Sequence, residues 1–174
     1  MKKKDIWISL AIIAASLAVI YFYTQRKGYL EIDTGGTEAT LQLSSGLFGS
    51  TTIRSGTAPT EVRAIIHSPR KLNLSMKKDD QTWQISSSGP WADLAKIKAK
   101  SNDTTTLRCG PPFLIKPSIQ KTTDELSIEF SITGQAGEHY QKYALVNNRT
   151  MAEAKLTIKD EAGNVLESGK FQYG

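Results

Sequence analysis

Residues Ile6–Tyr23 read IWISLAIIAASLAVIYFY, a run of 18 residues without a charge between Lys2-Lys3-Lys4-Asp5 and Arg26-Lys27. At about 1.5 Å of rise per residue a helix over this run covers about 27 Å, close to the hydrocarbon thickness of a bilayer. Trp7 at one end and Tyr21, Phe22 and Tyr23 at the other stand where amphipathic rings favour the headgroup level. The run reads as a single transmembrane helix, and the remainder as a body tethered to it. A cleaved signal peptide is the alternative, since Ser16-Leu17-Ala18 has small residues three and one positions before a cut. That cut would leave Val19-Ile20-Tyr21-Phe22-Tyr23 as an apolar tail with no partner, so an uncut signal-anchor is expected. Three lysines precede the span and Arg26 and Lys27 follow it. With so short a leading tail, this places the N-terminus in the cytoplasm and the body outside, periplasmic or at the cell surface. Ala11, Ala14, Ala15 and Ala18 share one helix face and would allow a second helix to approach, although alanine is common in such segments.

Beyond the span the apolar period changes from helix to strand. Leu126, Ile128, Phe130 and Ile132 alternate with Ser127, Glu129, Ser131 and Thr133, the period of a half-buried strand. The same alternation marks GYLEID (Gly28–Asp33), with Leu30 and Ile32 on one face, and Ala39–Leu43 after the Thr34–Thr37 turn. Ser44–Thr60 reads as loop with one short strand, including Leu47-Phe48, and Thr60–His67 as a strand burying Val62, Ile65 and Ile66. Lys71–Met76 and Thr82–Ser86 form a hairpin around Lys78–Gln81, with Leu72, Leu74, Met76, Trp83 and Ile85 inward. Trp91–Leu94 reads as a short helical turn, and Ile97–Lys100 with Thr104–Cys109 as a second hairpin. Gly110-Pro111-Pro112 is the best internal boundary. Phe113–Lys121 is a strand that Pro117 assigns to an edge, and the stretch before Met151 is irregular. Ala154–Lys159 then pairs with Val165–Tyr173 around Asp160–Asn164, where Gly163 can take a positive φ. The expectation is an all-β, sandwich-like architecture: an anchor over 1–27, a β-rich region over 28–109 and a second over 110–174, or one continuous unit over 28–174.

The pI of 9.3 suggests nucleic-acid binding, but the distribution of charge argues against it. Beyond residue 27 there are 17 basic against 16 acidic residues, with Lys77-Lys78 met by Asp79-Asp80. A phosphate-tracking surface needs clustered cations. The single Cys109 excludes an internal disulfide and shares a strand face with Thr105 and Leu107, which points to burial. Only His67 and His139 are present, neither at ligand spacing, so no metal or cofactor is expected. Asp160–Asn164 has acids and a glycine without the alternate spacing of a calcium loop. Asp79-Asp80 and Asp124-Glu125 are adjacent pairs in turns, not opposed carboxylates.

Glu138-His139-Tyr140 is the cluster best equipped for chemistry, and a loop-orienting role for Glu138 is its simplest use. Trp83 alternates with inward residues and reads as core, whereas Trp91 follows Gly89-Pro90 and is freer. Trp91, Glu138, His139 and Tyr140 are therefore the candidate ligand contacts. No catalytic residue stands out, and the function expected is binding or scaffolding at the cell envelope, with an envelope protein or a glycan as the partner. A carbohydrate-recognition module using Trp91 is the second reading, and a hydrolase built on Glu138 and His139 the third.

The runs GQAGEHY (Gly134–Tyr140) and IKDEAGNVLESGKFQYG (Ile158–Gly174) resemble an uncharacterised family of exported or lipid-anchored bacterial proteins. GPWADLAKIKAKSNDTTTLRCGPPF (Gly89–Phe113) is similar to the segment upstream of these in that family. The resemblance covers about the second half of the chain. It implies an immunoglobulin-like β domain outside the cytoplasm and points to no particular activity.

Overall fold

The computed structural model describes residues 3–46, 49–123, 126–152 and 155–170 and, within the N-terminal helix, the side chains of residues 9 and 12–22. The expectations for Leu47-Phe48, Asp124-Glu125, Ala154 and Phe171–Tyr173, and for the side chains of Trp7 and Tyr23, lie outside these. Helix α1 spans Lys3–Thr24 and two residues later the chain enters β1, Lys27–Asp33. The first half continues through β2 (Glu38–Ser44), β3 (Ser50–Arg54), β4 (Thr60–Arg63), β5 (Ile66–Lys78) and β6 (Gln81–Ser87). A 3-10 turn at Ala92–Ala95 precedes β7 (Ile97–Lys98) and β8 (Thr104–Arg108). The second half holds β9 (Leu114–Lys121), β10 (Leu126–Thr133), the short β11 (His139–Tyr140), β12 (Leu145–Val146) and β13 (Arg149–Thr150), then β14 (Lys155–Lys159) and β15 (Val165–Lys170).

The strands form mostly antiparallel sheets, in the orders β4-β1-β8, β13-β12-β6-β5-β2-β3, β11-β10-β9 and β14-β15. Period-2 alternation explains the main core. Leu30 and Ile32 of β1, Val62 of β4 and Leu107 of β8 are buried together with Leu41 and Leu43 of β2, Ile53 of β3, and Leu72 and Leu74 of β5. Each such side chain contributes about 1.5–3 kcal/mol of burial. The β5–β6 hairpin closes through Asp79 and Asp80 at φ 51° and 58°. This left-handed pair matches strand twist and is tolerated by Asp. At the outer edge of its sheet β9 places Pro117 opposite Phe130, a position that needs no N–H.

The structure corrects four expectations. The strand expected over Thr60–His67 breaks at Ala64-Ile65, and Ile66 begins β5 with 57% of its surface exposed. Met76 is half exposed, because the core ends two residues before it. Ile97–Lys100 and Thr104–Cys109 form no hairpin. Instead β7 pairs with the start of β5, and β8 lies parallel to β1 with Leu107 opposite Ile32. The irregular stretch before Met151 contains β12, which joins the large sheet beside β6 by pairing Val146 with Trp83. The regions on either side of Gly110-Pro111-Pro112 therefore share one sheet.

Candidate functional site

The Gly134–Tyr140 run is a tight hairpin loop. Ile132 opposes Tyr140 and Thr133 opposes His139, while the Gly134 amide donates to the Glu138 carbonyl at 2.9 Å and the Gly137 amide to the Gly134 carbonyl at 3.0 Å. Gly137 has φ 74°, a conformation that suits glycine. The turn drives the Glu138 side chain inward until no surface remains exposed. Its Oε1 accepts the Gly110 amide and the Tyr140 hydroxyl, both at 2.7 Å, and Oε2 accepts the Ala136 amide at 3.0 Å. Gly134 is required by this packing. A Cβ there would lie 2.9 Å from the Gly110 carbonyl oxygen and overlap the Glu138 carboxylate.

Backbone bonds extend the node. The Gln135 amide donates to the Gly110 carbonyl at 3.0 Å, the Asp93 amide to the Ala136 carbonyl at 3.1 Å, and the His139 amide to the Pro90 carbonyl at 2.9 Å. The Gln135 side-chain amide also donates to the Pro111 carbonyl. One carboxylate thus ties the end of β10 to Cys109–Pro111, and the loop around it holds the Pro90–Asp93 bend.

The electrostatics are those of a closed joint. Burial, reinforced by the hydrogen bond to Glu138, raises the Tyr140 phenol far above its ordinary value. It remains a donor. Burial first, then the charges of Glu138 and Asp33, pushes the Cys109 thiol up to about 12. A thiolate is the reactive form, so Cys109 is inert in the fold. The Phe113 ring stands edge-on to Tyr140, with centroids 5.1 Å apart.

All four candidate ligand contacts gather around this node, but they do not present a common surface. Glu138 and Tyr140 are buried and bonded to each other, so in this fold they brace the loop and cannot meet a ligand. His139 is half-buried and is held through its backbone. Trp91 is half-buried against the core beside Gly89.

A second polar pair had no local signal in the sequence. His67 is 1% exposed. Its Nδ1 lies 2.8 Å from Ser45 Oγ and its Nε2 lies 2.9 Å from the Arg63 carbonyl. A carbonyl only accepts, so Nε2 donates its hydrogen there, and in the neutral ring Nδ1 accepts the hydrogen bond of the Ser45 hydroxyl. Acyl transfer would also need donors for an oxyanion. The amides of Ser45, Gly46 and Gly49 are already bonded within the turn. The pair locks the loop after β2 to the corner between β4 and β5. Residues 22 positions apart meet only once the sheet forms, which is why periodicity could not find them.

Among several surface concavities, one is an apolar cleft of about 360 Å³ on the β5–β6 face, lined chiefly by Leu74, Met76, Trp83, Ile85, Pro111 and Phe113. Among the described residues no group of three or more His, Cys, Asp or Glu could hold a metal. At Asp160–Asn164, Asp160 accepts the Asn164 amide at 2.8 Å and its side-chain nitrogen at 2.9 Å. These bonds hold its carboxyl below the ordinary range, as in a hairpin turn.

Over the described residues no helix is long and apolar enough to cross a membrane. Residues 12–22, whose side chains are described, account for about 16 Å of the α1 axis. Comparison of the chain with protein-family models, with curated proteins and with solved structures finds no match.

Proposed function

We propose that the chain is a non-catalytic, sandwich-like β body, immunoglobulin-like in architecture, held outside the cytoplasm by an uncut N-terminal membrane helix and acting by binding or scaffolding at the cell envelope. The observation that carries the tether is the surface of α1. Ile12, Ile13, Leu17, Val19, Ile20, Tyr21 and Phe22 are each more than half exposed. At 100° per residue they cover every side of the helix. A helix apolar all round is stable only when something apolar surrounds it. Ser16 donates its hydroxyl to the Ile12 carbonyl at 2.8 Å, the internal satisfaction that hydrocarbon demands. The uncharged sequence of Ile6–Tyr23 supplies the rest of the length.

Binding in place of bond-breaking is supported by where the reactive groups lie. Cys109, Glu138, Tyr140 and His67 are buried, whereas the apolar cleft opens at the surface. The test is protease added to sealed, right-side-out vesicles from cells expressing the full chain. Digestion of the body, with the helix retained in the pellet, is expected. A body protected until detergent is added would reverse the orientation, and recovery of the intact chain in the soluble fraction would remove the tether.

A further inference from the structure

Although the body beyond residue 27 is nearly neutral, its cations are not evenly spread over its surface. The chain leaves α1 and enters β1 with only Gln25 and Arg26 between them, so whatever surrounds the start of β1 lies against the surface in which α1 ends. The topology brings three separated segments to that point. Lys27 stands directly opposite Arg63 at the end of β4, and the Ala64 amide donates to the Arg26 carbonyl at 2.8 Å. The Asn102 amide donates to the Lys27 carbonyl at 2.8 Å, which sets Lys100 beside it. Lys98 of β7 pairs with Ile66 at the start of β5, and the Ala99 amide donates to the Ile65 carbonyl at 3.1 Å.

Five cations, Arg26, Lys27, Arg63, Lys98 and Lys100, therefore ring the point of entry. Among the described residues two acids lie beside them, Glu61, paired with Lys27 at 2.6 Å, and Asp103, paired with Lys100 at 3.9 Å. Like charges directly opposite on neighbouring strands, as at Lys27 and Arg63, work against sheet stability. Ile66, 57% exposed, projects an apolar side chain from the same collar. Cations around an exposed aliphatic residue are complementary to anionic headgroups over an acyl boundary.

We propose that this end of the body is a docking surface for anionic phospholipid, which seats the body on the bilayer that holds its helix. The inference rests on the tether proposed above. The position of α1 supplies proximity, and the excess of positive charge selects the lipid.

The test is amine footprinting of the full chain, reconstituted separately into vesicles of zwitterionic phosphatidylcholine and of phosphatidylcholine mixed with phosphatidylglycerol. Lys98 and Lys100 are expected to label several-fold more slowly in the anionic vesicles. Lys77 and Lys78 lie about 11 residues of β5 away from Ile66, roughly 36 Å along the strand, and should label equally in both. Protection should disappear at high salt and in the R63A/K98A/K100A variant, scored by hydrogen exchange over residues 60–66 and 97–103. Equal labelling of Lys98 and Lys100 in both vesicle types would overturn the docking surface while leaving the tether intact. Failure of the chain to float with either vesicle would overturn the tether itself. Equal slowing by free inorganic phosphate in detergent would show a generic anion site and overturn the assignment to lipid.

Discussion

Replacing Glu138 by glutamine tests whether one buried carboxylate holds the second half of the body to the first. The carboxylate receives three hydrogen bonds, at 2.7, 2.7 and 3.0 Å, and has no exposed surface. In E138Q the amide oxygen can keep the two donors that now share Oε1, Gly110 N–H and Tyr140 O–H. The new NH₂ group then faces the Ala136 amide, donor against donor. Two buried donors left unpaired, the Ala136 N–H and the amide N–H facing it, cost about 1–3 kcal/mol each, and loss of charge assistance from the other two bonds about 0.5–1 kcal/mol each. Neutralising the group removes the desolvation penalty of a buried ion, an offset of about 3–4 kcal/mol after relaxation. The net expectation is a loss of about 2 kcal/mol, and about 4 kcal/mol for E138A, which leaves all three donors unpaired. Against a total of about 5–15 kcal/mol either loss is large. Urea denaturation of the full chain in detergent, followed by tryptophan fluorescence, measures it. An E138Q variant within about 0.5 kcal/mol of the parent, or more stable, would refute the reasoning, because the cost of burying the charge would then cancel its hydrogen bonds.

Gly134→Ala forces a methyl group into the Glu138 carboxylate and should cost about 1–3 kcal/mol by overpacking; the same denaturation assay checks it, and an unchanged midpoint would mean the loop yields freely. Cys109 should resist a thiol reagent at pH 8 until the chain is unfolded, and labelling in the native state would contradict its burial. Its raised pKa also sets a direction with pH. The thiol of the unfolded chain begins to ionise near 9 while the folded one holds its proton to about 12, so this contribution is fully present below pH 9 and is lost as pH rises through that window. Cys109→Ser should flatten the alkaline fall in stability. Asp80→Gly relieves a left-handed residue at φ 58°, worth about 1–2 kcal/mol against about 0.5–1 kcal/mol of added chain entropy, and should stabilise the β5–β6 hairpin by about 0.5–1 kcal/mol, read as a rise in the denaturation midpoint.

Much of the β framework was legible because burial and period coincide. Leu30 and Ile32, Leu41 and Leu43, and Leu72 and Leu74 alternate in sequence and are buried in the structure. The lysine-aspartate turn and the edge position of Pro117 follow from backbone chemistry alone. Pairing partners were less accessible. Thr104–Arg108 and Ile97–Lys98 are neighbours in sequence with a turn between them, yet the parallel register of β8 on β1 satisfies Leu107 against Ile32, a long-range choice that local pattern does not encode. The site divides the same way. Glu138 was recognisable as a loop-orienting residue, but its aim at Gly110 depends on a hairpin closing across 28 residues. The collar of cations was invisible for the same reason, since Arg63, Lys98 and Lys100 are spaced like ordinary solvated residues and meet only through three sheet contacts at the exit of α1.

The tether requires that the residues from Ile6 to Tyr23 lie in a bilayer and the strands do not. Alkaline carbonate extraction of membranes from cells expressing the full chain measures it most directly, because it strips proteins held by surface contact and leaves those held by a spanning helix. The full chain is expected in the pellet and a variant lacking residues 1–25 in the supernatant. Full-length protein released with the supernatant would contradict it.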